Sequence, residues 1–403
     1  WWPEIAVSKE HIQQRIRAIK AANCCIFRTH TQPWPEVWYE TADEMGLMMI
    51  PEGAVWNDDE AYRIDDPRFW DNYAAHLKAM VDRDKNKPSV VMYSLENEFY
   101  GSRLNERSPA MQDLIRMGQL VKQWDPTRPI MYESDGDPGG VADVIGLHYP
   151  HEYPDYTQWP NTAYWMDTPK DLYAFVPNRT AWVWDRTKPI YIGEFLWVPS
   201  SDPSWDTVFF GDEAYTDYET YHLKAKAESW RMAIQAYRYY EVGGISPWSM
   251  IDGPLDETNP LYASQKYAMQ PIAAYLREYD HNFYSGVRVT RTADVYNDVL
   301  SPSDLVLRWA LRDGEKQLDA GEQRLLMQPG ERREVSFELT FPQVTERRDL
   351  TLVLNLSRGG EEVFSDRKRY SVFPPLALSA PGGIAVGLYD PVGKTREILA
   401  AAG

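Results

Sequence analysis

Two stretches of this sequence run from apolar residues straight into carboxylates. Val90-Val91-Met92-Tyr93-Ser94-Leu95 leads into Glu96-Asn97-Glu98, and Ile190-Tyr191-Ile192-Gly193 leads into Glu194. Two carboxylates facing one cavity are sufficient to cleave a glycosidic bond, because one can protonate the departing oxygen while the other attacks the anomeric carbon. Taken singly, each glutamate reads as an ordinary strand-end carboxylate paired with Lys or Arg. The pairing is what points to chemistry. Other polar or aromatic groups follow apolar runs in the same way: Arg28-Thr29-His30 after Cys24, Glu52 after Leu47, His148-Tyr149 after Val144, and Trp248 after Ile245.

Positioning such residues requires strands that all deliver their carboxyl ends to one side. From residue 8 to about 285, helix-period segments alternate with short β-type runs, the pattern of βαβ units around a parallel sheet. Ser8 caps a helix with Ile12, Ile16 and Ile19 on one face, and Gly46 ends a second helix. Ser108 and Pro109 open another in cap and first-turn positions. Seven strand candidates emerge: 24–29, 47–51, 90–95, 130–133, 144–149, 191–195 and 245–250. The expected fold class is α/β, a (β/α)₈ TIM barrel whose first strand is missing from the chain, with its site on the loops leaving the strands' carboxyl ends. A doubly wound sheet would carry a Gly-rich turn after its first strand, and Arg28-Thr29-His30-Thr31-Gln32-Pro33 is not one.

After Tyr279 the pattern becomes alternating β-type segments, 305–311, 333–339 and 350–356, bounded by Gly, Asp and Asn turns. The expected division is a barrel over 1–285, an Ig-like β-sandwich over 286–373, and a linker with the start of a further α/β unit over 374–403. In that last part 384–389 reads as a strand and 395–400 as a helix. Further domains of the same polypeptide are expected before residue 1 and after residue 403. Gly393-Lys394-Thr395 ends like a phosphate-binding loop, but position 388 is Leu rather than the required glycine, so nucleotide binding there is rejected.

Composition narrows the partners. Lys plus Arg total 42 against 60 Asp plus Glu, and a net charge of −18 repels phosphate backbones, so no nucleic acid is expected. No apolar run approaches the roughly 18 residues of a membrane span. The adjacent pair Cys24-Cys25 builds neither a disulfide framework nor a metal or redox motif. The 16 Trp and 26 Tyr suit stacking on sugar faces, and suit a large aromatic core equally well. A metal-dependent hydrolase would want a His-x-His pair or equivalent cluster, and Thr29-His30-Thr31 offers a lone histidine; neither metal nor cofactor is expected. A periplasmic or extracellular location is favoured over a cytoplasmic one, and the oligomeric state stays open.

Asn97-Glu98 and Glu194, three strands apart, resemble the acid/base and nucleophile of the clan of retaining (β/α)₈-barrel glycosidases. Asn23 through Phe27-Arg28-Thr29-His30, then Trp38-Tyr39 and Asp43-Glu44-Met45-Gly46-Leu47-Met48-Met49-Ile50-Pro51-Glu52, is similar to glycoside hydrolase family 2, the β-galactosidases, β-glucuronidases and β-mannosidases. The resemblance covers about 280 residues. It implies that Arg28 supports the nucleophile carboxylate and that Asn97 binds the sugar 2-hydroxyl. Tyr149 and His148 would face the nucleophile and sugar, and Trp248 would form a platform under the cleavage subsite. Glu52 matches a family glutamate that binds substrate, structures its loop or helps hold a cation. His30 and His148 also read as satisfied core histidines, and Trp34, Trp56 and Trp197 as either subsite walls or loop anchors.

The expected reaction is retaining hydrolysis of a β-linked sugar, β-galactosidase-like, from an oligo- or polysaccharide; the alternative is a non-catalytic carbohydrate-binding barrel. Arg28 would keep Glu194 ionised, and the approach of a second carboxylate would raise the pKa of Glu98. Retention requires the two carboxyl groups to lie about 5 to 5.5 Å apart. One departure stands out. The family usually has glycine before the Asn-Glu pair, and position 96 here is a glutamate, an extra carboxylate able to perturb Glu98 or to select a substrate group.

Overall fold

The computed structural model describes residues 6–56, 62–99, 109–149, 163, 166, 184–195, 202–248, 253–375 and 387–401. The chain divides into two compact units, residues 1–270 and 271–403.

The first unit alternates helices and parallel strands. Helix α1 (Lys9–Ala21) starts where Ser8 Oγ accepts the His11 N–H, and it buries Ile12, Ile16 and Ile19, whose spacing of four and three keeps them on one face. Strand β1 (Ile26–Arg28) follows, then α2 (Glu36–Met45). Gly46 closes α2 with φ 69°, a left-handed conformation that glycine adopts without penalty, and the chain turns at once into β2 (Met48–Ile50). Asp66 caps α3 (Pro67–Asp84), with Pro67 in its first turn, and β3 (Tyr93–Asn97), α4 (Pro109–Trp124), β4 (Ile130–Glu133) and β5 (Ile145–His148) continue the alternation. Then come β6 (Ile190–Phe195), the short α5 (Thr207–Phe210), α6 (Tyr218–Tyr239), β7 (Gly244–Pro247) and α7 (Pro260–Ala268).

The strands stand side by side in chain order. β1 pairs with β2, β3 with β4, and β6 with both β5 and β7, all parallel. Parallel bridges from Met49 to Val90 and from Glu52 to Ser94 join β2 to β3. The α/β barrel and its seven expected strands are therefore present. Ser108 and residues 249–250 lie outside the described residues.

The barrel strands have two faces. Ile130 and Tyr132 pack toward α3 and α4, while Met131 joins Ile50, Met92 and Tyr191 in an inner cluster. At the carboxyl ends this strict alternation breaks. Ile190, Ile192 and Phe195 share one apolar cluster, an odd step between 192 and 195 that requires an irregularity, and the register of β6 against β7 shifts at that place. Glu194 is thereby turned to the inner face. β3 does the same: Ser94 and Asn97 both meet inner side chains although three residues apart, and its register shifts between them. Such irregularities re-aim side chains where a site needs them.

In the second unit, β8 (Ile272–Leu276), β10 (Arg288–Asn297) and β13 (Glu331–Thr340) form a three-stranded sheet in the order β13-β10-β8. β9 (Asn282–Tyr284), β11 (Ser303–Asp313), β12 (Lys316–Met327), β14 (Arg348–Arg358) and β15 (Glu361–Phe373) form a second, ordered β12-β11-β14-β15-β9. Aromatic pairs link the sheets, Tyr275 with Phe364 at 5.3 Å and Trp309 with Phe337 at 4.5 Å between ring centroids. The expected boundary at 285 is displaced: β8 and β9 were assigned to the barrel from sequence, yet they pair with β10 and β15. Helix α8 (Lys394–Ala401) covers the expected 395–400. Of the expected strand 384–389, residues 384–386 lie outside the described residues and 387–389 are irregular.

Candidate active site

Arg28, the last residue of β1, organises the carboxyl ends of the strands. Its Nη1 donates to Glu52 Oε2 at 2.6 Å and to Asn97 Oδ1 at 3.0 Å, and its Nη2 donates to Glu194 Oε1 at 2.6 Å. Its Nε lies 3.8 Å from Glu133 Oε1. One guanidinium thus serves residues from four strands or strand ends. All of these groups are buried, and three carboxylates compete for one cation. Burial pushes the Glu52 carboxyl up to about 8, Arg28 opposes that rise, and neighbouring Glu133 adds to it.

His148, at the end of β5, is the second cation. Its Nε2 lies 2.8 Å from Glu133 Oε1 and its Nδ1 2.9 Å from Glu98 Oε1, with Glu194 Oε2 at 3.8 Å from the same nitrogen. Burial alone would lower its pKa, but the charges and hydrogen bonds of Glu194, Glu133 and Glu98 outweigh it and raise the imidazole to about 10. His148 is an imidazolium at neutral pH, donating from both ring nitrogens.

This pairing reverses the expected behaviour of Glu98. Burial pushes its carboxyl up, but the hydrogen bond and charge of His148, then the Trp56 indole N–H at 3.3 Å, then Arg28, hold it below the ordinary glutamate value. The cation beside it, invisible in a count of nearby carboxylates, decides the sign.

Glu194 is gripped on both oxygens. Arg28 holds Oε1, with His30 Nε2 3.7 Å away, and the Tyr149 hydroxyl donates to Oε2. Burial, followed by the charges of Arg28 and His148, pushes His30 down to about 2, so it is a neutral ring. Trp248 lies against it, ring centroids 4.8 Å apart. Glu98 (φ 55°) and Tyr149 (φ 46°) both have left-handed backbone conformations that non-glycine residues rarely adopt, a strain of order 1–3 kcal/mol each that concentrates at functional sites.

Glu98, His148 and Glu194 each offer an atom within 4.8 Å of the others, a spacing that fits either a metal ion or two reacting carboxylates around a sugar carbon. As an imidazolium His148 has no lone pair for a metal, and ligation would require it to lose its proton and its bond to Glu98. Glu52, considered as a cation ligand, is engaged by Arg28 and by Ser94 Oγ at 2.9 Å.

Nine of the ten residues singled out from sequence gather here: Arg28, His30, Glu52, Asn97, Glu98, His148, Tyr149, Glu194 and Trp248. Trp197 lies outside the described residues. Trp56 donates to Glu98, whereas Trp34 is buried against Phe27 and Trp38 and anchors its loop. Asn97 Nδ2 is buried without a partner among the described residues. Sequence reasoning missed Glu133, although Ile130-Met131-Tyr132 runs into it just as the other strands run into theirs. Its carboxylate occupies the space over Gly193, where a Cβ would come within 1.1 Å of Oε1, so any side chain at 193 would have to displace the Glu133 carboxylate.

Residues 5–198, which contain all of these groups except Trp248, match the sequence profile described as glycosyl hydrolases family 2, TIM barrel domain. That stretch, just under half of the chain, is similar to the family 2 glycosyl hydrolase barrel. The chain is 33% identical over 155 residues to a β-galactosidase of Psychromonas ingrahamii, covering 38% of this chain and 14% of that protein. It is 27% identical over 233 residues to a β-galactosidase of Vibrio cholerae, covering 51% of this chain and 22% of that one. The chain thus spans less than a quarter of the length of these relatives. Among solved structures, a β-D-mannosidase from Dictyoglomus thermophilum superposes with a TM-score of 0.60 at 14% identity, over 90% of this chain and 48% of that one. An exo-chitosanase from Amycolatopsis orientalis gives 0.57 at 16% identity, over 94% and 48%. At such identities the likeness establishes the fold.

The ionisation of the site makes a prediction about stability. His148 has a folded pKa above its unfolded value, so its stabilisation is complete below about 6.5 and is lost as pH rises toward about 10. Glu52, raised to about 8, also binds protons more tightly when folded and acts in the same direction between about 4.5 and 8. Thermal melts should therefore show the first unit unfolding at a lower temperature at pH 9 than at pH 6. His148→Gln should flatten the decline; a stability that rises over this range would contradict the assignment.

Proposed function

We propose that this chain is the catalytic barrel of a retaining glycoside hydrolase that removes a β-linked sugar from an oligo- or polysaccharide, with Glu194 as nucleophile and Glu98 as acid/base. The observation that carries the reading is that one oxygen of Glu98 and one of Glu194 lie within 4.8 Å of each other, with Glu194 fixed on both oxygens. Retaining enzymes place these groups about 5 to 5.5 Å apart, and inverting ones leave roughly 6.5 to 9.5 Å for a water.

Arg28 and Tyr149 orient Glu194 toward the anomeric carbon and spread its charge until attack. Glu98 meets the leaving oxygen from the other side. The proton it delivers is held in the Glu98–His148 pair and is shared across the 2.9 Å contact, the raised imidazole and the lowered carboxyl favouring the imidazole side. After the glycosyl-enzyme forms, Glu98 takes a proton from water, and the sugar leaves with its original configuration. Asn97 Nδ2 offers a hydrogen bond to a sugar hydroxyl, and Trp248 a face on which the ring can stack.

The curated relatives support a β-galactoside as substrate. The second unit reads as a β-sandwich accessory to the barrel. Hydrolysis of a panel of aryl β-glycosides by the full chain tests the proposal: one sugar, the galactoside first, should be cleaved. Binding of a sugar without cleavage would make the barrel a recognition module, and neither cleavage nor binding would sink both readings.

A further inference from the structure

Beyond Arg28 and His148, the site depends on how the chain turns after β3. Three consecutive backbone N–H groups at this turn are tied to three different places: Asn97 N–H to Val55 O at 2.9 Å, Glu98 N–H to Glu133 O at 3.0 Å, and Phe99 N–H to Glu96 Oε2 at 2.8 Å. The first two bonds are made to neighbouring backbone. The third is made to a side chain. Phe99 itself is fully buried and packs on Trp70, ring centroids 5.6 Å apart. Between these fixed points Glu98 adopts φ 55°, a conformation that must be imposed by its surroundings.

We propose that Glu96 is a positioning residue for Glu98: by accepting the Phe99 N–H it locks the left-handed turn that aims the Glu98 carboxyl at His148 and the cleft. The inference rests on the reading of Glu98 as acid/base. Glu96 is wholly buried, so the extra carboxylate does not select a substrate group by contact with solvent-borne sugar. Burial first, then the nearby charge of Asp135, push its carboxyl well above the ordinary range, and its Oε2 accepts the amide hydrogen. Its Oε1 has no partner among the described residues.

Glutamine matches glutamate in shape and keeps the acceptor; leucine keeps the volume and removes it. The test compares Glu96→Gln, Glu96→Leu and Glu98→Gln in the full chain on two β-glycosides of the sugar that the panel identifies. One carries 2,4-dinitrophenol, which departs without a proton, and the other phenol, which needs one. With Glu96→Leu, kcat/KM on the phenyl glycoside should fall about 100-fold, as for a catalytic group displaced by about 1 Å, and by less than about 10-fold on the dinitrophenyl glycoside. Glu96→Gln should stay within about 3-fold of the parent on both, since the hydrogen bond survives.

Equal losses on the two substrates with Glu96→Leu, or a Glu96→Gln variant as impaired as the leucine one, would overturn the proposal. Should Glu96→Leu lose the thermal transition of the first unit, Glu96→Asp, one methylene too short to reach Phe99, takes its place under the same two outcomes. If Glu98→Gln itself keeps the phenyl-glycoside activity, the acid/base reading fails, and that result is distinct from failure of the positioning role.

Discussion

Replacing Glu194 by glutamine is expected to lower kcat/KM on any cleaved β-glycoside by about 10⁴-fold or more, with folding preserved. The amide removes the attacking oxygen anion but keeps an acceptor for Arg28 Nη2, which now lies 2.6 Å from Oε1. It also lightens a buried cluster in which Glu52, Glu133 and Glu194 share one guanidinium. The melting temperature should therefore hold or rise while turnover disappears, the pattern of a residue kept for chemistry at some expense of stability. Calorimetry alongside initial rates checks both halves. A variant that keeps more than about a tenth of the parent rate would remove Glu194 from the nucleophile role.

The second large effect is on stability. Arg28→Met should destabilise the first unit by about 3–5 kcal/mol, because it strands buried Glu52 and Glu194 without the cation that each meets at 2.6 Å. Arg28→Lys should recover only part of this, since an ammonium cannot reach Glu52, Asn97 and Glu194 together as the planar fork does. Denaturant unfolding followed by a probe in the first unit measures the difference. A loss below about 1 kcal/mol would mean that the carboxylates find protons or other partners without Arg28.

The barrel was legible because strand ends announce themselves: an apolar run of four to six residues stops at a charged or aromatic residue, and in a parallel barrel every such stop lies on the same side. Arg28, Glu52, Glu98 and Glu194 all follow that rule. Glu133 follows it too, but what it contacts depends on Gly193 from another strand, a fact that only the fold supplies. The sign of the Glu98 shift was hidden for a similar reason, since His148 lies 50 residues away and its two carboxylate partners come from β4 and the end of β3. Strict alternation along β6 also misleads, because Glu194 faces inward only through the break between Ile192 and Phe195. The unit boundary was misplaced because Ile272-Ala273-Ala274-Tyr275-Leu276 is an apolar run like those of the barrel, and only its pairing with β10 assigns it to the second unit.

The central claim is that Glu98 and Glu194 cleave a β-glycoside with retention, and proton NMR of the sugar as it is released reads this directly. With retention, the β-anomer appears first and the α-anomer only later, as the free sugar equilibrates. The α-anomer as first product would mean direct attack by water, and would contradict the assignment of Glu194 as nucleophile.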